Sequence, residues 1–390
     1  MPTGREYDIV LFGATGFTGE LTAEYLARHA PAGCKWALAG RNQAKLAGVR
    51  SRLASIDPAL ASLDLITADV TDPASLAAVA ESTRVVITTV GPYVNYGDPL
   101  VAACAAAGTD YVDLTGEPEF VDRTYLRHHE TAVASGARIV HACGFDSIPY
   151  DLGVYFTVRE LGEVSGPVTV DGFVRAGAEF SGGTYQSAIT AFSRLKTSSA
   201  LARSRREAEG RPAGRRVRGA GRPHKSVFGW WALPAPTIDP QVVLRSARAL
   251  DWYGPDFTYG HYLAFKRLPT VVGLVGGIGV LFGLAQIPFT REWLLNRKKS
   301  GEGPSAEKRA RSWFRVRFEA KASGRRLVTE VSGGDPGYDE TAKMLAESAL
   351  CLAFDDLPAT SGQVTTAVAM GDRLLDRLVA AGIKFSVVEG

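Results

Sequence analysis

Three glycines near the N-terminus, Gly13, Gly16 and Gly19, stand in the stretch DIVLFGATGFTGEL at a spacing that could bind phosphate. They follow an apolar run and open a segment typical of a helix, where glycine permits a tight turn and a close backbone approach to a pyrophosphate. The spacing is one residue longer than the usual dinucleotide fingerprint, so a glycine turn without a ligand is the alternative. The residues predicted to contact the phosphates are Gly13, Thr15, Gly16, Phe17, Thr18 and Gly19.

The choice of dinucleotide depends on the end of the second predicted strand, where the sequence reads LAGRN. An NAD site places Asp or Glu there for the ribose hydroxyls, and that carboxylate would repel a 2′-phosphate. Here Gly40, Arg41 and Asn42 occupy the position, and the planar fork of arginine suits a phosphate. We therefore predict NADPH as the cofactor. Asp69 would contact the adenine or, alternatively, cap the helix that begins near Pro73.

The loop after the fourth predicted strand, TTVGPYVNYG, would run beside the nicotinamide ribose and ring. Val90, Gly91 and Pro92 are predicted to contact the cofactor, because the glycine lets the backbone approach and the proline stiffens the turn. Tyr93 is the first candidate for a catalytic hydrogen-bond donor, and Tyr96 is a candidate to contact the substrate. A buried structural tyrosine is the alternative for either residue.

The sixth predicted strand leads into HACGFDSIPYDLG. Because this segment follows the carboxyl end of a strand, Cys143 is predicted to contact the cofactor, and Asp146 and Tyr150 are catalytic candidates. Alternatively, the cluster only begins a helix, with Ser147 as its N-cap and a proline in the first turn. No Tyr-x-x-x-Lys pair stands near residue 150, which argues against a short-chain dehydrogenase mechanism.

Composition narrows the classes of function. The 390 residues are 46% hydrophobic and 22% charged, as in a globular protein with two domains or one domain with a large insertion. The net charge of +3 predicts no nucleic-acid partner. The 4 cysteines lie far apart and indicate neither a metal site nor a disulfide framework. The N-terminus lacks the apolar run of a signal peptide, so a cytoplasmic location is expected.

The first part of the chain alternates short apolar runs with helix-length segments. The runs typical of strands buried on both faces are YDIVLF, KWALAG, LDLITA, RVVITTV, TDYVDL and ARIVHAC. The helices predicted between them cover 19–28, 44–55, 73–81, 99–108 and 119–135. This alternation predicts an α/β fold with a Rossmann-type doubly wound parallel sheet, in a domain of residues 1–163.

Beyond that domain the pattern changes. The segments VTVDGFVRA, WFRVRFEAKA and RRLVTEVSG alternate apolar and polar residues, as strands with one buried face do. We predict a second, inserted α/β domain over 164–334, whose mainly antiparallel sheet would form a wall of the substrate site. Residues 335–390 are predicted to form C-terminal helices that return to the Rossmann domain, with a short strand after a glycine stop.

Two segments of the second domain differ in composition from the rest. Residues 203–225 carry nine Lys or Arg and two Glu without periodicity, which predicts a solvated surface loop or a dock for an acyl carrier protein or coenzyme A. Residues 270–289 are twenty residues without a charge, and five of them are glycine. Their length suits a membrane span. A buried or protein-packed helix is the first interpretation, and a patch that meets lipid and a true span are the alternatives.

These blocks, with VNYGDPLVAACAAAGTDYVDLTGE, SGGTYQSA, GDPGYDETAKML and DRLVAAGIKFSV, resemble the saccharopine dehydrogenase-like oxidoreductases over nearly the whole chain. The most specific blocks are VGPYVNYG, DLTGE and GFDSIPYDLG. Within that family the chain is most similar to the trans-acting enoyl reductases of actinobacterial polyketide-lipid biosynthesis. The resemblance implies a Rossmann domain with an inserted α/β domain, and NADPH as hydride donor. One departure is SGQVTTAVAMGDRL, where relatives have Gly-Gly-Val and a proline.

The resulting hypothesis is an NADPH-dependent oxidoreductase that reduces a polarised C=C bond in an acyl or polyketide substrate. The apolar segment and the aromatic stretches GWWALPAP and DWYGPDF suit an acyl chain. Tyr93, with Tyr150 behind it, would donate a hydrogen bond to the developing enolate oxygen. Thr184 and Tyr185 would line the acyl site.

Two other functions fit the same features. One is an imine or ketone reductase of a natural-product pathway, and the other is a lipid-associated protein that binds NADPH without turnover. The substrate would be free or presented on an acyl carrier protein or coenzyme A. Peripheral membrane contact and a homodimer are both left open, and no metal is expected.

Overall fold

A computed structural model gives the fold of the chain and describes residues 4–178, 194–287, 289–290, 292–293 and 303–390. Contacts divide the chain into two compact units. The first comprises Met1–Phe145, Gly301–Gly303 and Tyr338–Leu378, and the second comprises Asp146–Ser300, Pro304–Gly337 and Val379–Gly390. The bulk of the second unit is therefore inserted between two segments of the first.

The elements are numbered in chain order. The strands are β1 Tyr7–Phe12, β2 Trp36–Gly40, β3 Asp64–Thr67, β4 Thr83–Thr88, β5 Asp110–Asp113, β6 Arg138–Val140, β7 Pro167–Gly177, β8 Arg216–Ala220, β9 His224–Lys225, β10 Trp231–Pro234, β11 Asp256–Phe265, β12 Trp313–Ala322, β13 Arg325–Gly333, β14 Gly362–Val364 and β15 Lys384–Glu389. The α-helices are α1 Phe17–His29, α2 Gln43–Ala54, α3 Pro73–Ser82, α4 Tyr93–Tyr96, α5 Asp98–Ala107, α6 Pro118–Ser135, α7 Ile148–Leu161, α8 Leu195–Glu209, α9 Asp239–Ala249, α10 Leu268–Gln286, α11 Ala306–Arg311, α12 Asp339–Phe354, α13 Thr366–Ala369 and α14 Gly371–Ala380. Short 3-10 helices cover Pro58–Ser62 and Asp251–Tyr253.

The first unit contains a parallel sheet of seven strands in the order β14-β6-β5-β4-β1-β2-β3. Its central strands are fully buried, as the apolar runs predict: Ile9, Val10 and Leu11 of β1 are 0% exposed. The strand order reverses between β1 and β4, which opens a crevice at the carboxyl ends of these strands. The predicted Rossmann-type doubly wound sheet is confirmed.

The seventh strand, β14, had no signal in the sequence. It has only three residues, Gly-Gln-Val, and pairs in parallel with β6 at the edge of the sheet. Gly362 begins it with a φ of +85°, a conformation that favours glycine. Its N–H donates to the carbonyl of Ala137 at 2.8 Å. A run this short shows no periodicity, so tertiary pairing decides its conformation.

The C-terminal helices return to the first unit. Helix α12 is buried along most of its length and packs against α1, β1, β4 and β5. Arg377 of α14 binds both carboxylate oxygens of Asp355, at 2.6 and 2.7 Å, and Glu347 at 3.1 Å. Glu347 also accepts a hydrogen bond from the Tyr25 hydroxyl at 2.7 Å. This ion-pair network links α14 to α1, the first helix of the unit.

The second unit contains an eight-stranded mixed sheet in the order β15-β13-β12-β7-β11-β10-β9, with β8 also paired to β11. The neighbours from β15 to β7 and from β11 to β9 are antiparallel, whereas β11 is parallel to β7 and β8. A second α/β unit with a mainly antiparallel sheet is therefore confirmed. The chain's last strand, β15, joins this sheet, while the preceding helices belong to the first unit.

Helix α7 packs on one face of this second sheet. Gly153 lies so close to the Phe318 ring that a Cβ would collide with it, and Thr157 and Thr329 share a hydrogen bond of 2.6 Å. Because its contacts are with β12 and β13, α7 groups with the second unit. The sequence placed the boundary after residue 163.

The basic segment 203–225 is not the loop that its composition predicted. It contains the end of α8 and the strands β8 and β9. Glu209 binds the three arginines Arg205, Arg245 and Arg248 at 2.6 to 3.1 Å. The guanidinium of Arg215 donates to four backbone carbonyls. Ion pairs and hydrogen bonds with distant residues fold this segment, and a count of charges could not anticipate them.

The apolar helix α10 contradicts the first interpretation of residues 270–289 as a buried helix. Its mean hydropathy is 2.0, and only 6% of its most apolar window is buried. Val272 is 64% exposed and Val280 63%. By length and composition alone, it is the one helix in the described part of the chain that could cross a membrane.

Candidate functional site

The glycine loop joins β1 to α1 at the carboxyl edge of the first sheet. Gly13 has a φ of +90°, and its N–H donates to the Ala39 carbonyl at 2.9 Å. The Gly13 carbonyl accepts a hydrogen bond from the Thr89 hydroxyl at 3.0 Å. The loop is therefore held on both sides, by the strand ends of β2 and β4.

The other two glycines differ in what surrounds them. A Cβ on Gly19 would collide with the Gly13 carbonyl oxygen, whereas a Cβ on Gly16 would meet only that oxygen, at an ordinary 3.6 Å. Gly16 is the N-cap of α1, and no side chain of the described residues caps it. The helix therefore presents its first N–H groups and the positive end of its dipole beside an open glycine. This cradle fits a pyrophosphate.

The remaining residues predicted for the loop surround this cradle. Thr15, Phe17 and Thr18 are all half-buried. The Phe17 ring packs edge-on against Tyr338 at a centroid distance of 4.9 Å. The backbone carbonyl of Thr18 accepts a hydrogen bond from the Thr22 hydroxyl at 2.8 Å. The phosphate contacts of the Thr15 and Thr18 hydroxyls stay predictions.

The two residues that follow β2, Arg41 and Asn42, have different roles. Arg41 is exposed just beyond Gly40. The Asn42 side chain caps α2 by accepting from Lys45 N–H at 2.9 Å, a structural role that competes with cofactor contact. Of these residues, Arg41 is the one whose side chain suits a 2′-phosphate.

Asp69 does not cap the next helix, because Asp72 is the N-cap of α3. The Asp69 carboxylate instead accepts from the N–H and hydroxyl of Thr71, at 2.9 and 2.7 Å. These bonds, with a smaller contribution from the Arg41 charge, hold its pKa below the usual range. Asp69 therefore presents a fixed anionic acceptor at the end of β3, and its adenine contact stays a prediction.

The loop after β4 contains a cis Gly91–Pro92 bond, with Val90 half-buried, Gly91 exposed and Tyr96 44% exposed. Tyr93 is buried. Its hydroxyl donates to the Thr88 carbonyl at 3.0 Å and accepts from the Leu114 N–H at 3.2 Å. Burial raises the pKa of Tyr93 well above its ordinary value. The Tyr93 hydroxyl thus has a structural role in joining two strand ends.

Sequence reasoning missed Glu117, the last residue of the DLTGE block. Its buried carboxylate accepts from the N–H of Tyr93 at 3.2 Å and of Val94 at 2.7 Å. Because these are the first N–H groups of α4, a negative charge there stabilises the helix start. The block's resemblance to a family motif was the available signal.

The same block supplies Asp113, which was also missed. This fully buried carboxylate lies 2.7 Å from His141 Nδ1 and accepts from the Tyr111 hydroxyl at 2.9 Å and the Ala142 N–H at 2.9 Å. The Asp113 carbonyl accepts from the N–H of buried Cys143 at 2.7 Å. Asp113 therefore fixes the backbone that leads out of β6, including the predicted contact Cys143.

In the second unit, the two catalytic candidates Asp146 and Tyr150 belong to a cluster of ionisable side chains. The Tyr150 ring packs edge-on against His261 at a centroid distance of 4.8 Å. His261 Nδ1 lies 3.0 Å from the Tyr259 hydroxyl, and its Nε2 lies 3.4 Å from Asp239 Oδ2. Asp239 and His261 were not identified from sequence, because they stand on separate elements far along the chain.

Burial controls the protonation of this cluster. It raises the pKa of Asp146 to about 6 and lowers the pKa of His261 to about 3. Burial, and then the charge of Asp146, raise the pKa of Asp239 well above its usual value. Near neutral pH His261 is therefore uncharged. Burial also raises the pKa of Tyr150, which keeps its hydroxyl protonated as a hydrogen-bond donor.

The remaining predictions have less structural support. Thr184 and Tyr185 lie outside the described residues. Among the residues that the structure does describe, no group of three or more His, Cys, Asp and Glu could hold a metal ion.

Comparisons with known proteins agree with the phosphate loop. Residues 9–140 match the family described as the saccharopine dehydrogenase NADP-binding domain. The chain is 42% identical to the Mycobacterium tuberculosis protein Rv2449c over 417 residues, covering 98% of this chain and 97% of that protein. It is 38% identical over 413 residues to the trans-acting enoyl reductase of Mycobacterium bovis, covering 98% of both.

Among solved structures, the apo saccharopine dehydrogenase (L-Glu forming) of Saccharomyces cerevisiae resembles the chain with a TM-score of 0.58 at 12% identity, covering 98% of this chain and 100% of that one. This likeness concerns the fold alone. Fold, phosphate loop and family model together define an NADP-dependent oxidoreductase. The chain belongs to the saccharopine dehydrogenase-like family, in the group that includes the trans-acting enoyl reductases.

Gly16 and Gly19 provide a matched pair of variants. Gly16→Ala should leave the Tm near that of the wild type and weaken NADPH binding at least tenfold, because its Cβ finds room in the protein and would occupy the phosphate approach. Gly19→Ala should lower the Tm itself, because its Cβ collides with Gly13. Thermal unfolding and fluorescence titration with NADPH measure both effects. Unchanged NADPH affinity in Gly16→Ala would refute the proposed cradle.

Arg41→Ala should raise the Kd for NADPH roughly tenfold or more, by loss of a charge-assisted contact to the 2′-phosphate, and leave the Kd for NADH nearly unchanged. Lys45→Ala, which removes another exposed cation one helical turn along, is the control and should change neither. A similar loss of both cofactors in Arg41→Ala would show that the arginine does not read the 2′-phosphate.

Proposed function

We propose that this oxidoreductase reduces the C=C bond of an α,β-unsaturated acyl thioester that a polyketide synthase supplies. The observation that carries the proposal is similarity over 98% of the chain to proteins named trans-acting enoyl reductases. The cytoplasm is the proposed location, since this reaction uses NADPH.

The chemistry requires two contributions at opposite ends of the conjugated system. When bound, NADPH supplies a hydride to the β-carbon and becomes NADP⁺. The carbonyl oxygen then gains negative charge, the α-carbon takes a proton, and the product is the saturated thioester. From the protein, the reaction needs a hydrogen-bond donor for that oxygen and a route for one proton.

We place Tyr150 ahead of Tyr93 as that donor. The Tyr93 hydroxyl already donates to the Thr88 carbonyl inside the first unit. Tyr150 stays protonated beside Asp146, whose pKa of about 6 lets it exchange a proton near neutral pH. In this scheme Asp146 relays a proton from solvent, and Tyr150 stabilises the enolate oxygen.

Tyr150→Phe should lower kcat for an enoyl thioester about a hundredfold, as loss of an oxyanion donor does, without changing the Kd for NADPH. Tyr93→Phe should mainly lower stability, by about 1–3 kcal/mol, because it leaves a buried carbonyl and N–H unpaired. NADPH oxidation by stopped-flow absorbance and chemical denaturation separate these effects. Wild-type turnover in Tyr150→Phe would reject it as the donor.

The substrate class has its own test. The purified protein should oxidise NADPH with an enoyl thioester and not with a cyclic imine or a ketone of similar size. Turnover of the imine alone would identify an imine reductase. NADPH binding without oxidation across all three substrates would instead favour a protein that binds the cofactor without turnover.

We also propose a peripheral membrane contact through α10. The helix is apolar on all sides, nearly unburied, and preceded by the exposed cations Lys266 and Arg267, a combination that favours an anionic lipid surface.

The wild type should float with vesicles of phosphatidylglycerol and phosphatidylcholine. Val272→Asp combined with Val280→Asp should reduce that binding at least tenfold, because charges at two exposed apolar positions oppose insertion. Val227→Asp, at a residue that is 55% exposed elsewhere in the second unit, is the control and should bind as the wild type does. Flotation of the double variant equal to wild type would exclude α10 as the contact.

A further inference from the structure

The face of the second sheet opposite α7 carries a row of cations. In the register of β15, β13, β12 and β7, Lys384 pairs with Ser332, Ser332 with Arg315, and Arg315 with Arg175. Residues paired in this way lie side by side on one face of a sheet. We call Lys384, Arg315 and Arg175 the cation row; Ser332 lies between the first two.

One carboxylate, shared between two arginines, lies beside the cation row. The neighbouring row contains Glu330, which binds Arg315 at 3.0 Å and Arg317 at 2.7 Å. Among the described residues, neither Arg175 nor Lys384 has a carboxylate within ion-pair distance. Like charges directly opposite each other destabilise a sheet. The arrangement therefore suits a bound anion better than it suits folding alone.

Two tryptophans fix the orientation of Arg175. Its guanidinium lies over the Trp230 ring at 5.1 Å and over the Trp313 ring at 6.0 Å. Trp313 in turn lies against Gly177, where a Cβ would collide with its indole nitrogen. A guanidinium held over aromatic faces keeps its N–H groups at its edge, where they match two oxygens of a phosphate.

A groove of about 620 Å³ runs beside Arg315 and Lys384 of the cation row. Arg315, Ser332 and Lys384 line it together with Ser386 and the carboxylate of Glu330, and Val379 and Phe385 add apolar surface. Cations and hydroxyls next to apolar side chains suit a ligand that joins a phosphate to an uncharged chain.

A second copy of this chain is a poorer occupant. In a twofold dimer whose axis passes through this patch, the cation row would oppose another row of cations. A phosphate ester has the complementary charge.

We propose that the cation row binds the phosphate of a phosphopantetheine arm, in coenzyme A or on an acyl carrier protein. The choice of this phosphate ester rests on the proposed function, since an acyl thioester is carried on such an arm. The site would hold the carrier of the substrate, apart from the reacting double bond.

Binding without turnover tests the site directly. Coenzyme A and phosphopantetheine should bind the wild type in isothermal titration calorimetry, and pantetheine, which lacks the phosphate, should bind at least tenfold more weakly. Arg175→Gln and Arg315→Gln should each weaken coenzyme A binding roughly tenfold or more. Arg175→Lys should also weaken it, because lysine keeps the charge and loses the planar edge. Arg206→Gln, an exposed arginine on α8, is the control and should bind as the wild type does.

Thermal unfolding is measured for each variant, because loss of Arg175 also removes its stacking on the tryptophans. Lys384→Gln lies on the exposed edge strand β15, so it tests the site without disturbing the core. Equal affinity for pantetheine and phosphopantetheine, or coenzyme A binding unchanged in both Arg315→Gln and Lys384→Gln, would overturn the proposal. So would a dimer in light scattering that Arg315→Glu dissociates, because the face would then be a self-interface.

Kinetics separate this proposal from the proposed function and distinguish the two carriers. The KM for an enoyl thioester of coenzyme A or of a carrier protein should rise in Arg315→Gln, and the KM for the pantetheine thioester should not. A larger rise for one carrier identifies the natural source of the phosphate. Phosphate-dependent binding without reduction would refute the enoyl reductase function and leave the site intact. Reduction with no KM change for either carrier would refute the phosphate site and leave the enoyl reductase function intact.

Discussion

The carbonyl oxygen of Gly13 accepts a hydrogen bond from Thr89 and lies so near Gly19 that a side chain there would collide with it. This close packing of a loop against the ends of two strands sets the direction in which α1 begins. The N-terminal N–H groups of the helix, the open position at Gly16 and the exposed Arg41 at the next strand end all take their places from it. A dinucleotide site in this unit therefore depends on backbone contacts as much as on the groups that bind the ligand.

Much of the architecture could be predicted from local pattern. Apolar runs such as YDIVLF identify central strands because a parallel sheet buries both faces, and alternation in WFRVRFEAKA identifies a strand with one buried face. The failures have a common physical cause. The strand β14 is too short to show a period, and the basic segment folds around Glu209 and Arg215, whose partners are distant in sequence. For helix α10 the sequence predicted burial that the structure does not show. An apolar composition does not by itself supply a partner to bury the helix.

Some residues of the candidate site could likewise be identified from local sequence pattern, and others could not. Gly13, Gly16 and Gly19 could be identified because their spacing follows from the turn they make. The hydroxyl of Tyr93 could not be distinguished from a free donor by sequence, since its acceptor is a backbone carbonyl. Asp239 and His261 remained hidden because only the packing of α9 against β11 brings them together. Long-range polar clusters of this kind leave no periodic trace, although they determine which groups hold protons near neutral pH.

The last strand of the chain has a topological consequence. After α12 and β14 have joined the first unit, β15 adds to β13 in the second. A proteolytic cut near residue 337 would yield a short C-terminal fragment that contributes to both units, so the cut would not release either one as an autonomous piece. Expressing the inserted unit by itself would require deletion of the segment Tyr338–Leu378 and a short linker that connects β13 directly to its antiparallel neighbour β15.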